Sequence, residues 1–201
     1  MAREYLDYIA AIEGDPRLRF LAELQNRLRP GSTVLDLGCG AGEPCTRLLA
    51  QEHDVVGVDI SDGQLRLAQE MASHARFVQA DLAHFQVLPE TLDAVTAFYS
   101  LTHVPRDEHA RVLLDVATWL KPGGLLLLTL SARGETDGMQ DDFIGVPMYF
   151  SSYGPDTNRV LLDRAGFELL IDKVVEMHEP GGQSSFQWVL AQRKALQSER
   201  V

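Results

Sequence analysis

Residues 34–42 read VLDLGCGAG and are followed at 55–61 by VVGVDIS; nothing else in the chain restricts its fold as much. Val34, Leu35 and Leu37 form the apolar run that a buried parallel strand requires. Asp36 interrupts that run. A carboxylate in a buried strand is tolerated only when it is hydrogen-bonded, so Asp36 is expected near the strand's open end with a polar partner. Gly38, Gly40 and Gly42 then permit positive-φ turns and let a ligand come close to the backbone. A helix is expected over 43–51, with Pro44 in its first turn. The next strand, 54–59, closes on Asp59, roughly 20 residues after the glycines. An acid there accepts hydrogen bonds from both hydroxyls of a ribose, and it repels a phosphate. The two segments together describe one βαβ unit built around an adenosine-containing ligand.

The dinucleotide-binding fingerprint overlaps this pattern, but it wants GxGxxG with a pyrophosphate lying over a helix N-terminus. Here the third glycine comes one residue early, and Glu43 puts negative charge where the pyrophosphate would sit. No GK[ST] follows the glycines, which excludes a phosphate-binding P-loop.

VLDLGCGAG, VVGVDIS, FVQADL at 77–82 and LKPGGLLLLTL at 120–130 form an ordered set that resembles class I S-adenosylmethionine-dependent methyltransferases over roughly residues 33–131. The segment SSYGPDTNRVLLDRAGFELL at 151–170 resembles the last helix and strand of small-molecule members. The resemblance implies that Asp36 and the Gly38, Cys39, Gly40 and Gly42 turn surround the methionine part of the cofactor. It further implies that Asp59 holds the ribose, Ile60 packs on the adenine with Gln64 near it, and Asp81 bonds the adenine amino group beside Leu82. Phe98 and Tyr99 close the pocket. S-adenosylhomocysteine would be the product.

The chain has 201 residues, 45% of them hydrophobic, enough for one α/β domain with a full core. The expected architecture is a Rossmann-like, doubly wound, seven-stranded sheet, mostly parallel with an antiparallel last strand, spanning 1–201 with an N-terminal helical cap at 1–30. The formal net charge is −11, from 18 basic and 29 acidic residues. Such a field disfavours nucleic acid and anionic membranes, and the N-terminus MAREYLDYIA lacks a long apolar core, so a cytoplasmic protein acting on a small molecule is expected. Oligomeric state is not legible. The two cysteines, Cys39 and Cys45, have no metal-ligand spacing, no HxxxH or CxxC is present, and no metal site is expected.

Helices are expected at 4–11, 17–28 (with Leu18, Leu21, Leu24 and Leu28 on one face), 63–72, 106–120 and 156–165. Strands are expected at 76–79, 94–99, 125–131, 168–177 and 185–193, the last two joined by HEPGGQS as a hairpin. The long segment 132–155, which carries Phe143, Ile144, Met148, Tyr149, Phe150 and Tyr153, is expected as an irregular lid over an apolar or aromatic acceptor. Tyr8 from the first helix and Met148, Tyr149 and Tyr153 from the lid are candidate acceptor contacts. Tyr5 stands beside Tyr8 on that helix.

For methyl transfer to O, N or S, the protein must align the nucleophile, exclude water and, for a hydroxyl or thiol, accept a proton. His103, after the fourth strand in FYSLTHVP, is the candidate base and a candidate substrate contact, because an unperturbed histidine is largely neutral near pH 7. His53, His74, His84 and His109 are expected at the surface. Two alternatives share the same nucleoside pocket: an enzyme that transfers another group, against which Ser100 and His103 stand in place of extra acids, and a noncatalytic regulatory subunit.

Overall fold

The computed structural model describes residues 2–195. Its central sheet has seven strands in the order β3-β2-β1-β4-β5-β9-β8: β1 (Thr33–Leu37), β2 (Asp54–Asp59), β3 (Arg76–Gln79), β4 (Leu92–Ala97), β5 (Leu120–Ser131), β8 (Phe167–Glu179) and β9 (Gly182–Arg193). The pairs among β1 to β5 are parallel, whereas β9 runs antiparallel to both β5 and β8. The chain reverses its order between β1 and β4. In an open parallel sheet, the carboxyl ends at such a reversal border the ligand crevice.

Helices α1 (Ala2–Ala10), α2 (Arg17–Gln25), α3 (Cys45–Leu49), α4 (Asp62–Met71), α5 (His109–Trp119) and α6 (Pro155–Arg164) connect or flank the strands. One buried cluster joins β-strand residues to Val112, Leu113, Val116 and Trp119 of α5 and Leu162 of α6. The other joins Phe20, Leu21 and Leu24 of α2 and Leu49 of α3 to Trp188, whose ring stacks on Phe20 at 4.9 Å. Core burial on both sides explains the continuous apolar strands β1, β4 and β5. In α1, by contrast, no residue is buried.

Several local expectations change. In α2, Arg17 is buried and Leu18 is 55% exposed; the inward face runs through Phe20, Leu21 and Leu24, and the helix ends at Gln25. The helix after the glycines is short and begins at Cys45, with Pro44 as its N-cap residue after a cis peptide bond. Strand β5 pairs from Leu120, its KPGG segment absorbed as an irregularity opposite Leu92 and Ala94. Residues 132–155 are not irregular: β6 (Thr136–Phe143) and β7 (Val146–Ser152) form a separate two-stranded antiparallel sheet. Alternation gave little sign of β6, whose TDGMQDDF is mostly polar and exposed on both faces. His53 and His109 are buried, not superficial; His109 Nε2 bonds the Val104 carbonyl at 3.0 Å.

Candidate active site

The glycine turn follows from the crowding of strand ends. A Cβ on Gly38 would stand 2.3 Å from Ser100 Cβ, beyond the end of β4, and a Cβ on Gly42 would meet Ala72 and Ala68 of the α4 region. Both glycines also have positive φ, at +72° and +75°. Gly40, with φ +54°, faces open space. The three glycines therefore divide their work: Gly38 and Gly42 let protein segments approach, and Gly40 leaves room above the turn. Gly42 lines none of the cavities described below; its position packs the turn against Ala68 and Ala72.

Asp36 is 3% exposed and accepts hydrogen bonds from Thr46 Oγ1 at 2.6 Å and Thr96 Oγ1 at 2.7 Å. Burial pushes its pKa up, and the two hydroxyls offset this only in part. Asp59 caps the turn. Its Oδ2 accepts from the Gly40 N–H at 2.9 Å, and its Oδ1 accepts from the Ser61 N–H at 2.8 Å. These bonds fix the carboxylate at the mouth of the crevice. Ser61 in turn caps α4 through the Gln64 N–H. Asp81 accepts from the Ala83 N–H at 2.9 Å and faces His84 at 3.0 Å. Partial burial raises its pKa, but these partners outweigh it, and the carboxyl titrates below its usual range.

A cavity of about 410 Å³ lies over the turn. Gly38, Gly40, Asp59, Ile60, Gln64, Asp81, Leu82, Phe98, Tyr99, His103 and Met148 all line it. Ile60 is 68% exposed, an apolar side chain offered to whatever enters. A narrow recess of about 40 Å³ continues beyond the glycines, and Asp36 and Cys39 line it. Burial pushes the Cys39 thiol pKa far up, so the sulfur is an inert neutral wall.

A second cavity, about 430 Å³, adjoins the first. Tyr5, Tyr99, His103 and Phe143 line both, so the two cavities meet at these side chains. Tyr99 is held at φ +54°, a region that non-glycine residues rarely occupy, with its N–H bonded to Thr129 Oγ1. Phe143, from the end of β6, packs edge-on against Tyr8 at 5.5 Å and Phe150 at 5.2 Å, so α1 and the hairpin meet above the junction. The far side of the second cavity carries Arg133, Glu179 and Ser184. Tyr8 lines this cavity and donates to Glu179 Oε2 at 3.3 Å; burial and that carboxylate push its pKa up to about 12.

His103 Nδ1 is 2.9 Å from the Tyr149 carbonyl oxygen, and its ring packs on Phe150 at 4.9 Å. A carbonyl only accepts, so Nδ1 carries the proton and Nε2 is left as an acceptor. Burial lowers the His103 pKa against the pull of that carbonyl and Asp59, keeping the ring neutral near pH 7.

Two candidate acceptor contacts move elsewhere. The Tyr149 hydroxyl donates to Asp137 Oδ1 at 2.7 Å, Tyr149 lines neither large cavity, and its carbonyl meets His103. Tyr153 packs edge-on against His109 at 5.9 Å, under Arg106, and lines neither large cavity. In a two-stranded ribbon alternate side chains face opposite ways, so Met148 and Phe150 point in when Tyr149 points out. Reading 132–155 as irregular concealed that alternation. Glu179, Arg133 and Ser184 were missed because no local motif marks them; the β8–β9 hairpin brings Glu179 and Ser184 to the cavity. Among the described residues, no group of three or more potential metal ligands forms, and no helix is long and apolar enough to cross a membrane.

The fold and this site are similar to those of S-adenosylmethionine-dependent methyltransferases. Residues 34–124 match the family described as a methyltransferase domain. The chain is 28% identical over 179 residues to the methyltransferase GfsG of Streptomyces halstedii, covering 82% of this chain and 64% of that protein. It is 36% identical over 113 residues to a ubiquinone biosynthesis O-methyltransferase of Aliivibrio fischeri, covering 54% of this chain and 47% of that protein. The chain thus spans about half to two thirds of the length of these relatives. Among solved structures, a S-adenosylmethionine-dependent methyltransferase from Methanosarcina mazei superposes with a TM-score of 0.74 at 21% identity, covering 86% of this chain and 97% of that one. S-adenosylmethionine is the cofactor of the class, and the site suits it. Gln64 Oε1 and Ser100 Oγ, both on residues lining the first cavity, are buried without a hydrogen-bond partner, as befits groups completed by a polar ligand.

Proposed function

We propose that this chain transfers the methyl group of S-adenosylmethionine to an oxygen, nitrogen or sulfur nucleophile of a small, largely apolar or aromatic metabolite. The observation that carries this reading is the junction: a cavity of about 410 Å³ over Gly40 and Asp59 and a second of about 430 Å³ share Tyr5, Tyr99, Phe143 and His103 in their linings. Bound S-adenosylmethionine supplies a methyl on a sulfonium that departs as a neutral thioether.

The chain's own residues do the rest. Asp59 takes the ribose hydroxyls, Ile60 and Leu82 cover the adenine, and Asp81 accepts from its amino group. Asp36 and the turn through Cys39 border the methionine part. Phe98 and Tyr99 close the cavity after β4. The roof of Tyr5, Tyr8, Phe143 and Met148 excludes water and presses the acceptor toward the junction. His103 Nε2 takes the proton from an attacking hydroxyl, while the Tyr149 carbonyl holds the ring in the required tautomer. The name of the Aliivibrio relative, an O-methyltransferase, favours oxygen among the three nucleophiles.

The test is a two-stage measurement. Calorimetry with S-adenosylhomocysteine is expected to show saturable binding, and labelled methyl donor with a panel of phenols, aryl amines and thiols is expected to give a methylated product. A protein that ignores both forms of the cofactor at millimolar concentration overturns the proposal.

A further inference from the structure

The second cavity has two unlike ends. Toward the junction its lining is aromatic, with Tyr5, Tyr99, Phe143 and Phe150, and at the far end it is polar, with Arg133, Glu179 and Ser184. The register of the β8–β9 hairpin builds that polar end. Ser184 stands opposite Met177, and Glu179 lies two residues beyond Met177 on the same face, opposite Gly182, which offers no side chain. Diagonal neighbours of this kind are about 7–8 Å apart, close enough for one ligand group to meet both. Ser184 is 4% exposed, and its Oγ has no hydrogen-bond partner among the described residues. Buried hydroxyls are nearly always paired, so this one points to a polar group brought in from outside.

The charges restrict what that group can be. Among the described residues, Arg133, Asp137 and Glu179 are the charged side chains that line the cavity. Asp137 is already engaged, by Arg106 at 3.5 Å and by the Tyr149 hydroxyl at 2.7 Å. Glu179 Oε2 accepts from the Tyr8 hydroxyl at 3.3 Å, which leaves Oε1 open. Arg133 gives Nη2 to the Gln183 carbonyl. Arg133 and Glu179 both act on the Tyr8 hydroxyl, in opposite directions. A ligand ammonium here would gain from Glu179 and lose to Arg133, and a carboxylate would do the reverse. A hydroxyl meets neither penalty: it donates to a carboxylate and accepts from a serine O–H.

We propose that the acceptor is an apolar or aromatic molecule with a neutral hydroxyl at the end remote from the methylated atom, and that Glu179 and Ser184 bind this hydroxyl and thereby select the substrate. The proposal rests on the methyltransferase reading and narrows it. No bond is made or broken at this end. Glu179 and Ser184 anchor one end of the acceptor, so that the other is held at the junction beside His103.

The test titrates protein saturated with S-adenosylhomocysteine, by calorimetry, with para-alkylphenols of increasing chain length and with the same phenols bearing a hydroxyl, an ammonium or a carboxylate at the free end of the chain. At the length that spans the cavity, the hydroxyl-ended phenol is expected to bind about ten- to a hundredfold tighter than its parent, the gain for a hydrogen bond to a charged group. That preference is expected to fall to near one in Glu179→Ala and by about three- to tenfold in Ser184→Ala. Binding of S-adenosylhomocysteine by each variant reports that it is folded, and the serine variant carries the test if the other is not. Tightest binding of the ammonium- or carboxylate-ended phenol overturns the choice of a hydroxyl. A preference that is absent at every length, or that survives in the folded variants, overturns the subsite. Loaded protein that binds no member of the series overturns this acceptor class and leaves the methyltransferase reading standing. Protein that fails to bind S-adenosylhomocysteine overturns that reading itself.

Discussion

At the scale of single residues, the chemistry turns on groups held by backbone atoms. Asp59 is fixed by two N–H donors before any ligand arrives, so Asp59→Ala removes a carboxylate that needs no reorganisation. Binding of S-adenosylhomocysteine is expected to weaken by about 1–3 kcal/mol, measured by calorimetry. For His103, the folded pKa lies below the ordinary value of about 6.5. Methylation of a hydroxyl acceptor should therefore hold its rate above that pH and lose it as the pH falls through the folded pKa. His103→Ala is expected to abolish this acidic limb and lower kcat with cofactor affinity nearly intact; an unchanged pH–rate profile would assign the ring to structure alone. Gly38→Ala drives a methyl into Ser100 at a positive φ and is expected to cost about 1–3 kcal/mol in urea unfolding. Ser100→Gly should recover part of that loss. The hydrogen-bonded strand-end positions of Asp36 and Asp59 and the positive-φ turn through the glycines were legible in the sequence because each answers a local constraint of a strand end. Tyr149 was misread because its role depends on which way a ribbon faces.

At the scale of elements, the parallel strands could be placed from their apolar runs, and the antiparallel β9 followed from a recognisable turn. The β6–β7 ribbon was not legible, since its stability comes from cross-strand pairing and from packing of Phe143 and Phe150 rather than from alternation within β6. Its contribution is testable. Phe143→Ala removes the ring that touches Tyr5, Tyr8 and Phe150 over the junction, and it is expected to raise the acceptor KM several-fold while the fold persists. Helix α1 completes the same roof although it buries no residue fully. Such an element opens at small cost. Its amides are expected to exchange quickly in the free protein and to slow on addition of S-adenosylhomocysteine, as hydrogen-exchange mass spectrometry would record.

At the scale of the whole molecule, the order of strands brings Asp36, Asp59, Asp81, Phe98 and Tyr99 to one end of the sheet, on either side of the reversal between β1 and β4. That much of the site was legible from motif order alone. The second cavity was not, because its walls come from α1, the ribbon and the β8–β9 hairpin, which meet only in three dimensions. The buried histidines also act at this scale. Burial lowers the pKa of both His103 and His109, so the fold favours their neutral rings. Their contribution to stability is complete above the unfolded value of about 6.5 and is lost as the pH falls through the folded values. Urea midpoints measured from pH 7 to pH 5 are expected to decline accordingly, and less steeply in a His109→Gln variant.

The shared partition has an evolutionary corollary. On the proposed function, any exchange at Tyr99 or Phe143 that reshapes the room for a new acceptor also disturbs the neighbouring nucleoside, so adaptation there is taxed twice. Diversification of substrate choice should instead gather at the distant end, around Ser184, Ser185 and Phe186, where side chains touch one chamber and not the other.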